Sequence, residues 1–220
     1  MNYFIVVEGK KVEFLVYNKW ISYLNPKLRS INHISEFKED NYLIFPGNGY
    51  PSYFDTINDA MQDVLNNPII DYFVIAIDSD EMTYEEKYQE INDFISNYRD
   101  KIKIIIIVQH FCIETWALGN KCIISRNPED PQLKRYIKYF NIVTKDPELL
   151  TSIEENLTRS QFAEKYIKKA LNDKYRNLTY SKNRPDVLLN PKYFQRVKLR
   201  YDTTNHIQSF GKFLDAFVQS

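Results

Sequence analysis

The chain has 220 residues, of which 44% are apolar and 26% charged, and its formal net charge is zero, a balance typical of a soluble globular protein with a sizeable core. It contains neither the apolar run of about 18 residues that a membrane helix needs nor a secretory leader, so we expect a cytoplasmic protein. Its two cysteines, Cys112 and Cys122, are too few for a disulfide framework or a four-thiolate zinc site, and we expect both to be reduced and buried.

Short β-rich runs alternate with helix-length segments through the first 120 residues. Four apolar runs predict buried strands: Tyr3–Val7, Tyr42–Phe45, Tyr72–Ile77 and Lys103–Val108. The segments that follow them predict helices: Lys11–Leu24, a helix capped by Ser52 that runs to Leu65, Tyr84–Tyr98 and His110–Asn120. This alternation predicts an α/β domain over residues 1–120, with a four-stranded parallel sheet flanked by helices.

Residues 121–220 lack strand signals and predict a mostly helical C-terminal region that is also basic. The first 110 residues carry a formal charge of −7, and the last 110 carry +7. Thr158–Arg200 holds 12 Lys+Arg against 3 acids, interleaved with aromatic residues, which is typical of a polyanion-binding surface and equally of a solvated helical face. The residues we select as nucleic-acid contacts are Lys165, Lys168, Lys169, Arg196, Lys198 and Arg200.

The last segment, HIQSFGKFLDAFV, has the apolar stripe of an amphipathic helix. We expect this helix to pack on the core, with a homodimer or partner interface as the alternative.

Polar residues follow each predicted strand, at the sheet edge where ligands of parallel sheets bind. They are Glu8, the turn PGNGYP, Asp78-Ser79-Asp80 and Gln109-His110. In extended backbone, Asp78 and Asp80 point to the same side, so both carboxylates would reach one point. Converging carboxylates without thiolates form a hard oxygen site, which suits one or two Mg²⁺ or Mn²⁺ ions rather than zinc.

Two of these strand ends resemble the Toprim domain, the metal-binding fold of topoisomerases, DnaG-type primases and OLD-family nucleases. The resemblance lies in FIVVEGK and, about seventy residues later, VIAIDSD, and it covers residues 1–120. The segment HFCIETWALGN is also similar to one in RloB-like and PARIS-type anti-phage proteins. The resemblance implies a Toprim-like sheet and a metal-dependent reaction at a phosphodiester.

Carried over by position, the resemblance implies that Glu8, Asp78 and Asp80 are catalytic and bind metal. Glu13 stands where OLD-type members often carry a second acid, so it is a fourth candidate ligand, with a solvated helix-face glutamate as the alternative. Further candidate site residues are Lys10, His110 and Glu114, of which Glu114 rests on the looser similarity to the defence proteins.

The favoured function is a stand-alone nuclease, because 220 residues leave little room for primase or topoisomerase modules. Its substrate would be DNA or a structured RNA such as tRNA, and the resemblance implies an anti-phage effector working with an ATPase partner. The main alternative is a catalytically silent module that binds nucleic acid or a partner. A haloacid-dehalogenase-type phosphatase is less favoured, because Met82 in DSDEM stands where that family's loop has Thr or Val.

Overall fold

A computed structural model describes residues 1–175 and 177–218 and divides the chain into two compact units. The first unit comprises Met1–Ile77, Tyr84–Val108 and the described residues from Lys212 onward. The second comprises Asp78–Thr83 and Gln109–Gly211. The second unit therefore begins before residue 120 and includes the loop that carries the Asp-Ser-Asp motif.

The first unit is built on a parallel sheet of five strands in the order β2-β3-β1-β4-β5. The strands are β1 (Tyr3–Val7), β2 (Arg29–Ile31), β3 (Asn41–Pro46), β4 (Tyr72–Asp78) and β5 (Lys103–Gln109). β1 pairs with β3 from Tyr3↔Tyr42 to Val7↔Pro46, and with β4 from Tyr3↔Tyr72 to Val7↔Ala76. β1 is therefore the central strand.

The predicted α/β class is confirmed, but the count of four strands is wrong. The additional strand, β2, has three residues and pairs with the start of β3 at the sheet edge. Its residues are exposed or half-buried, so it carries no apolar run that a sequence pattern would reveal.

Helices cover both faces of this sheet. The chain forms α1 (Val12–Leu24), α2 (Tyr53–Leu65) and α3 (Tyr84–Phe94) between the strands. Alternate β1 residues, Phe4 and Val6, join a core with α2 and α3. On the opposite face lies α1, whose Asn18 accepts a hydrogen bond from the Tyr42 hydroxyl at 3.0 Å. Ser52 is the N-cap of α2 but makes no side-chain capping bond, contrary to our expectation.

The second unit is helical. Its helices are α4 (Ile113–Ala117), α5 (Pro131–Tyr139), α6 (Arg159–Lys174), α7 (Pro191–Thr203) and the start of α8 (Gln208–Phe217). Pro131 and Pro191 occupy the first turns of α5 and α7, where a missing N–H costs nothing, and Asp130 and Asn190 cap those turns. Thr158 and Gln161 form a reciprocal capping box that starts α6.

Aromatic rings fill the interior of the second unit. Tyr136 packs edge-on against Phe162 with ring centroids 4.9 Å apart, and Trp116 packs against Phe210 at 5.3 Å. Neither cysteine forms a disulfide; Cys112 is buried as expected, whereas Cys122 is exposed. None of the described helices is both long and apolar enough to cross a membrane.

The predicted C-terminal amphipathic helix, α8, contributes rings to the core of the first unit. Phe213 is fully buried, with its centroid 5.1 Å from that of Tyr17 and 6.2 Å from that of Trp20. Phe213→Ala should lower the free energy of unfolding by about 3–5 kcal/mol, because it removes buried contacts and leaves a cavity. Urea denaturation followed by circular dichroism measures this change.

The matched control is Val218→Ala, since Val218 is 52% exposed. We expect this variant to stay within about 0.5 kcal/mol of the wild type. Equal losses in the two variants would contradict a buried, packed position for Phe213.

Candidate functional site

In the first unit, the backbone of Glu8 is fixed at the end of the central strand. Its N–H donates to the Ala76 carbonyl at 3.0 Å, which continues the β1–β4 pairing by one residue. Its carbonyl accepts from the Gly49 N–H at 2.9 Å, and Val7 accepts from Gly47. The glycine-rich turn therefore wraps the end of β1 and leaves the Glu8 side chain half-buried.

Glu13 is buried at the start of α1 and lies directly against Gly9. Only 6% of Glu13 is exposed, and a Cβ added at Gly9 would lie 2.1 Å from its Oε2. A carboxylate in the first turn of a helix is favoured by the helix dipole. Glu13 is thus not a solvated helix-face residue, whereas Lys10 is exposed.

In the second unit, the Asp-Ser-Asp motif forms a turn rather than a continued strand. Asp78 ends β4 and is 6% exposed, whereas Asp80 is exposed and has a left-handed φ of 48°. That φ breaks the alternation of extended backbone, so the argument that placed both carboxylates on one side does not apply. The Asp80 N–H donates to the Phe111 carbonyl at 3.0 Å, and its carboxylate accepts from Ser160 at 3.5 Å.

Arg159, the first residue of α6, holds this turn in place. Its guanidinium donates to the Asp80 carbonyl at 2.7 Å and to the Met82 carbonyl at 3.2 Å, and forms an ion pair with Glu81. The guanidinium carbon also lies 4.0 Å from the centroid of the Phe111 ring. Five donors in a planar group make arginine suited to bind several carbonyl and carboxylate oxygens at once.

Glu114 is completely buried in α4. Its Oε1 accepts a hydrogen bond from the Tyr180 hydroxyl at 2.6 Å. Its Oε2 has no hydrogen-bond partner among the described residues. A buried carboxylate oxygen without a donor is costly, and a bound cation would compensate it.

The charges of Asp78 and Glu114 both act on the Cys112 thiol. Burial raises the pKa of Cys112 well above its ordinary value, and the negative charges of Glu114 and then Asp78 raise it further. A hydrogen bond with Thr115 and the charge of Lys182 oppose the rise. Asp78 and Glu114 are thus two buried acids of the second unit whose charges both act on the Cys112 thiol.

The end of β5 adds further buried polar groups. Gln109 is fully buried, and neither its Oε1 nor its Nε2 has a partner among the described residues. Next to it, the half-buried His110 shares a hydrogen bond of 2.7 Å with the Ser79 hydroxyl. The Ser79 N–H donates to the Gln109 carbonyl at 3.1 Å.

Ser209 links this strand end to Glu148. Its hydroxyl accepts from the Trp116 indole N–H at 2.6 Å and from the His110 N–H at 3.2 Å, and donates to Glu148. Burial raises the pKa of Glu148 to about 7; the Ser209 hydrogen bond opposes this rise, and the Asp146 charge adds to it.

The predicted nucleic-acid contacts have different environments. Lys165, Lys168 and Arg196 are exposed. Lys169 and Lys198 form ion pairs with Asp130 at 2.9 Å and Asp202 at 2.7 Å. Arg200 is only 2% exposed, and its guanidinium donates to the Ile142 and Lys145 carbonyls and contacts His206. Burial therefore removes Arg200 from the predicted surface.

Among the residues that the structure describes, no three or more His, Cys, Asp or Glu side chains are grouped so as to hold a metal ion. The sequence pattern did not reveal Arg159 or Tyr180, which follow the acids by many residues. Only the Thr-x-x-Gln capping signal beside Arg159 was visible. The chain matches no protein-family model, no curated protein and no solved structure.

Tyr180→Phe should lower the free energy of unfolding by about 1–3 kcal/mol, because the buried Oε1 of Glu114 loses its donor. Urea denaturation at neutral pH measures the loss. The control is Tyr139→Phe, whose hydroxyl bonds to Thr151 and Ser152 at the surface. A loss in Tyr180→Phe no larger than in the control would contradict this role of the hydroxyl.

Glu148 should make the unfolding free energy depend on pH. The unfolded glutamate releases its proton near 4.5 and the folded one near 7, so its contribution to stability is full below about pH 4.5 and is lost as the pH rises through 7. Glu148→Gln cannot titrate and keeps an acceptor for Ser209. Urea midpoints should show the variant gaining on the wild type between pH 5 and pH 8; a constant difference would refute the assignment.

Proposed function

We propose that the protein is a divalent-metal-dependent nuclease that hydrolyses phosphodiester bonds in DNA or structured RNA. The observation that carries the proposal is the buried Glu114 carboxylate, whose Oε2 lacks a donor among the described residues. Asp78 is also buried in the second unit, and its charge, like that of Glu114, raises the pKa of the Cys112 thiol. Two buried acids with an unsatisfied oxygen fit a hard cation such as Mg²⁺ or Mn²⁺.

In this proposal the metal ligands are those that the sequence resemblance implies, Glu8, Glu13, Asp78 and Asp80, with Glu114 as a further candidate acid. Glu8 follows β1 and Asp78 ends β4, the strand with which β1 pairs. The bound cation would neutralise the charge that develops on the phosphate oxygens during hydrolysis. The Arg159 contacts fix the backbone of the Asp80 turn, which limits how far that carboxylate moves.

The exposed cations of the second unit would bind the nucleic-acid backbone. Lys165, Lys168 and Arg196 are the exposed members of the predicted set, and Lys10 is a further exposed cation. Acids alone would repel a phosphodiester, so a nuclease needs such groups to position its substrate. His110 is a candidate substrate contact, with the Ser79 hydroxyl fixing its ring.

Resemblance to RloB-like and PARIS-type proteins extends the proposal to a cytoplasmic anti-phage effector regulated by an ATPase partner. Such a partner would hold the nuclease inactive or release it. A competing function is a silent module that binds nucleic acid or a partner.

The deciding experiment combines cleavage with metal binding. Supercoiled plasmid DNA and total tRNA are incubated with Mg²⁺, Mn²⁺ or EDTA, and Mn²⁺ binding is measured by electron paramagnetic resonance. We expect metal-dependent cutting, reduced at least about 100-fold in Glu8→Gln and Asp78→Asn, since even outer-shell changes typically cost about 10–100-fold. Asp59→Asn, an exposed acid on α2, is the control and should keep full activity.

Each result has a definite meaning. Cutting that persists in EDTA or in Asp78→Asn would contradict the proposed site. Mn²⁺ binding that Asp78→Asn abolishes, without cutting by the isolated protein, would support the metal site and point to a required partner. Neither Mn²⁺ binding nor cutting by folded protein would favour the silent module.

A further inference from the structure

A cavity of about 500 Å³ lies within the second unit, and none of the candidate metal-binding acids lines it. Its volume falls inside the range of about 300–1,000 Å³ that is common for small-molecule and cofactor sites. Its floor is apolar and firmly packed, because Ile123, Leu171 and Tyr193 line it and are each at most 5% exposed. The Tyr193 hydroxyl is directed away to the Ala117 carbonyl, which it reaches at 3.0 Å.

The rim of the cavity combines an aromatic ring with positive charge. Tyr175 and Leu178 are 39% and 42% exposed there. Among the residues that the structure describes, three cations line the cavity, Lys174, Lys192 and Arg196, against one carboxylate, Asp186.

The three cations differ in what they already bind. The Lys174 ammonium donates to the Cys122 and Ile124 carbonyls, so it is engaged with the chain. Lys192 and Arg196 lie one helical turn apart in α7, are exposed, and form no salt bridge among the described residues. Positive charge beside an apolar floor and a tyrosine ring matches the two halves of a nucleotide, a phosphate and a flat base.

We propose that this cavity binds one nucleotide unit, with its base on the apolar floor and Tyr175 and its phosphate at Lys192 and Arg196. Base stacking on aromatic rings is tolerant of sequence, and lysine and arginine neutralise phosphate. The nucleotide would be either free in solution or an unstacked residue of a nucleic-acid strand. The second case rests on the proposed nuclease function, for which the cavity would be a substrate-binding site.

Cys122 provides a direct probe, because it is exposed and lines the cavity, whereas Cys112 is buried. Alkylation of the full chain by iodoacetamide is followed by mass spectrometry in EDTA, so no cleavage takes place. The ligands are AMP, GMP, CMP or UMP, a ten-nucleotide single-stranded DNA or RNA, and inorganic phosphate. Alkylation of Cys112 in any sample would report unfolding rather than binding.

We expect a nucleotide or a strand to slow Cys122 alkylation at least about tenfold when it saturates the protein. Lys192→Ala combined with Arg196→Ala should weaken this protection about tenfold, and Tyr175→Ala should weaken it by a similar factor through lost stacking. The control pair, Lys134→Ala with Lys138→Ala in α5, removes exposed cations that neither line the cavity nor belong to the predicted nucleic-acid contacts. It should leave the protection unchanged.

Protection by mononucleotides would identify a free nucleotide as the ligand, and protection by strands alone would identify a substrate site. Phosphate that protects as well as any nucleotide would overturn the proposal in favour of a plain anion site. Absence of protection by every nucleotide and strand would overturn it too. Because this assay contains EDTA, its result does not depend on cleavage. Protection here, together with no cutting in the separate assays with Mg²⁺ and Mn²⁺, would uphold the cavity site while the nuclease proposal fails.

Discussion

The position of β1 between two parallel neighbours is the constraint on which the first unit depends. Every residue of β1 is at most 4% exposed, and the strand pairs along both edges, with β3 and β4. A shift of one residue would turn every side chain to the opposite face and exchange the contents of two packed cores. The register therefore fixes where the backbone of Glu8 leaves the sheet, one residue beyond the last β1–β4 pair.

The second unit differs in that it buries polar side chains whose hydrogen-bonding atoms are only partly satisfied. Glu114 and Gln109 are fully buried, and each has a polar atom without a partner among the described residues. Each such atom costs about 1–3 kcal/mol, and nearby packing must offset that cost. Rings such as Trp116 and Phe162 supply the packing, and polar residues retained at this cost are typical of functional sites.

The sequence predicted four of the five strands because each of those four is a continuous apolar run, and the bounds of Tyr3–Val7 were predicted to the residue. It missed β2, whose three residues show no apolar pattern. It also predicted extended backbone at Asp80, where the φ is left-handed, because a single turn residue after a strand produces no repeating pattern in the sequence. Composition alone could not show that Arg200 is buried, with its guanidinium donating to backbone carbonyls. Tyr180 escaped because its contact with Glu114 spans 66 positions.

The contact between Gly9 and Glu13 links two positions that a reader of sequences would treat as independent. With no room for a methyl group at position 9, an alanine there becomes tolerable only if the acid at position 13 is shortened or turned outward. Because the carboxylate is the far end of a flexible side chain, turning it outward would by itself make room for the methyl group. A change at position 9 would therefore move the acid at position 13 without any change of residue there.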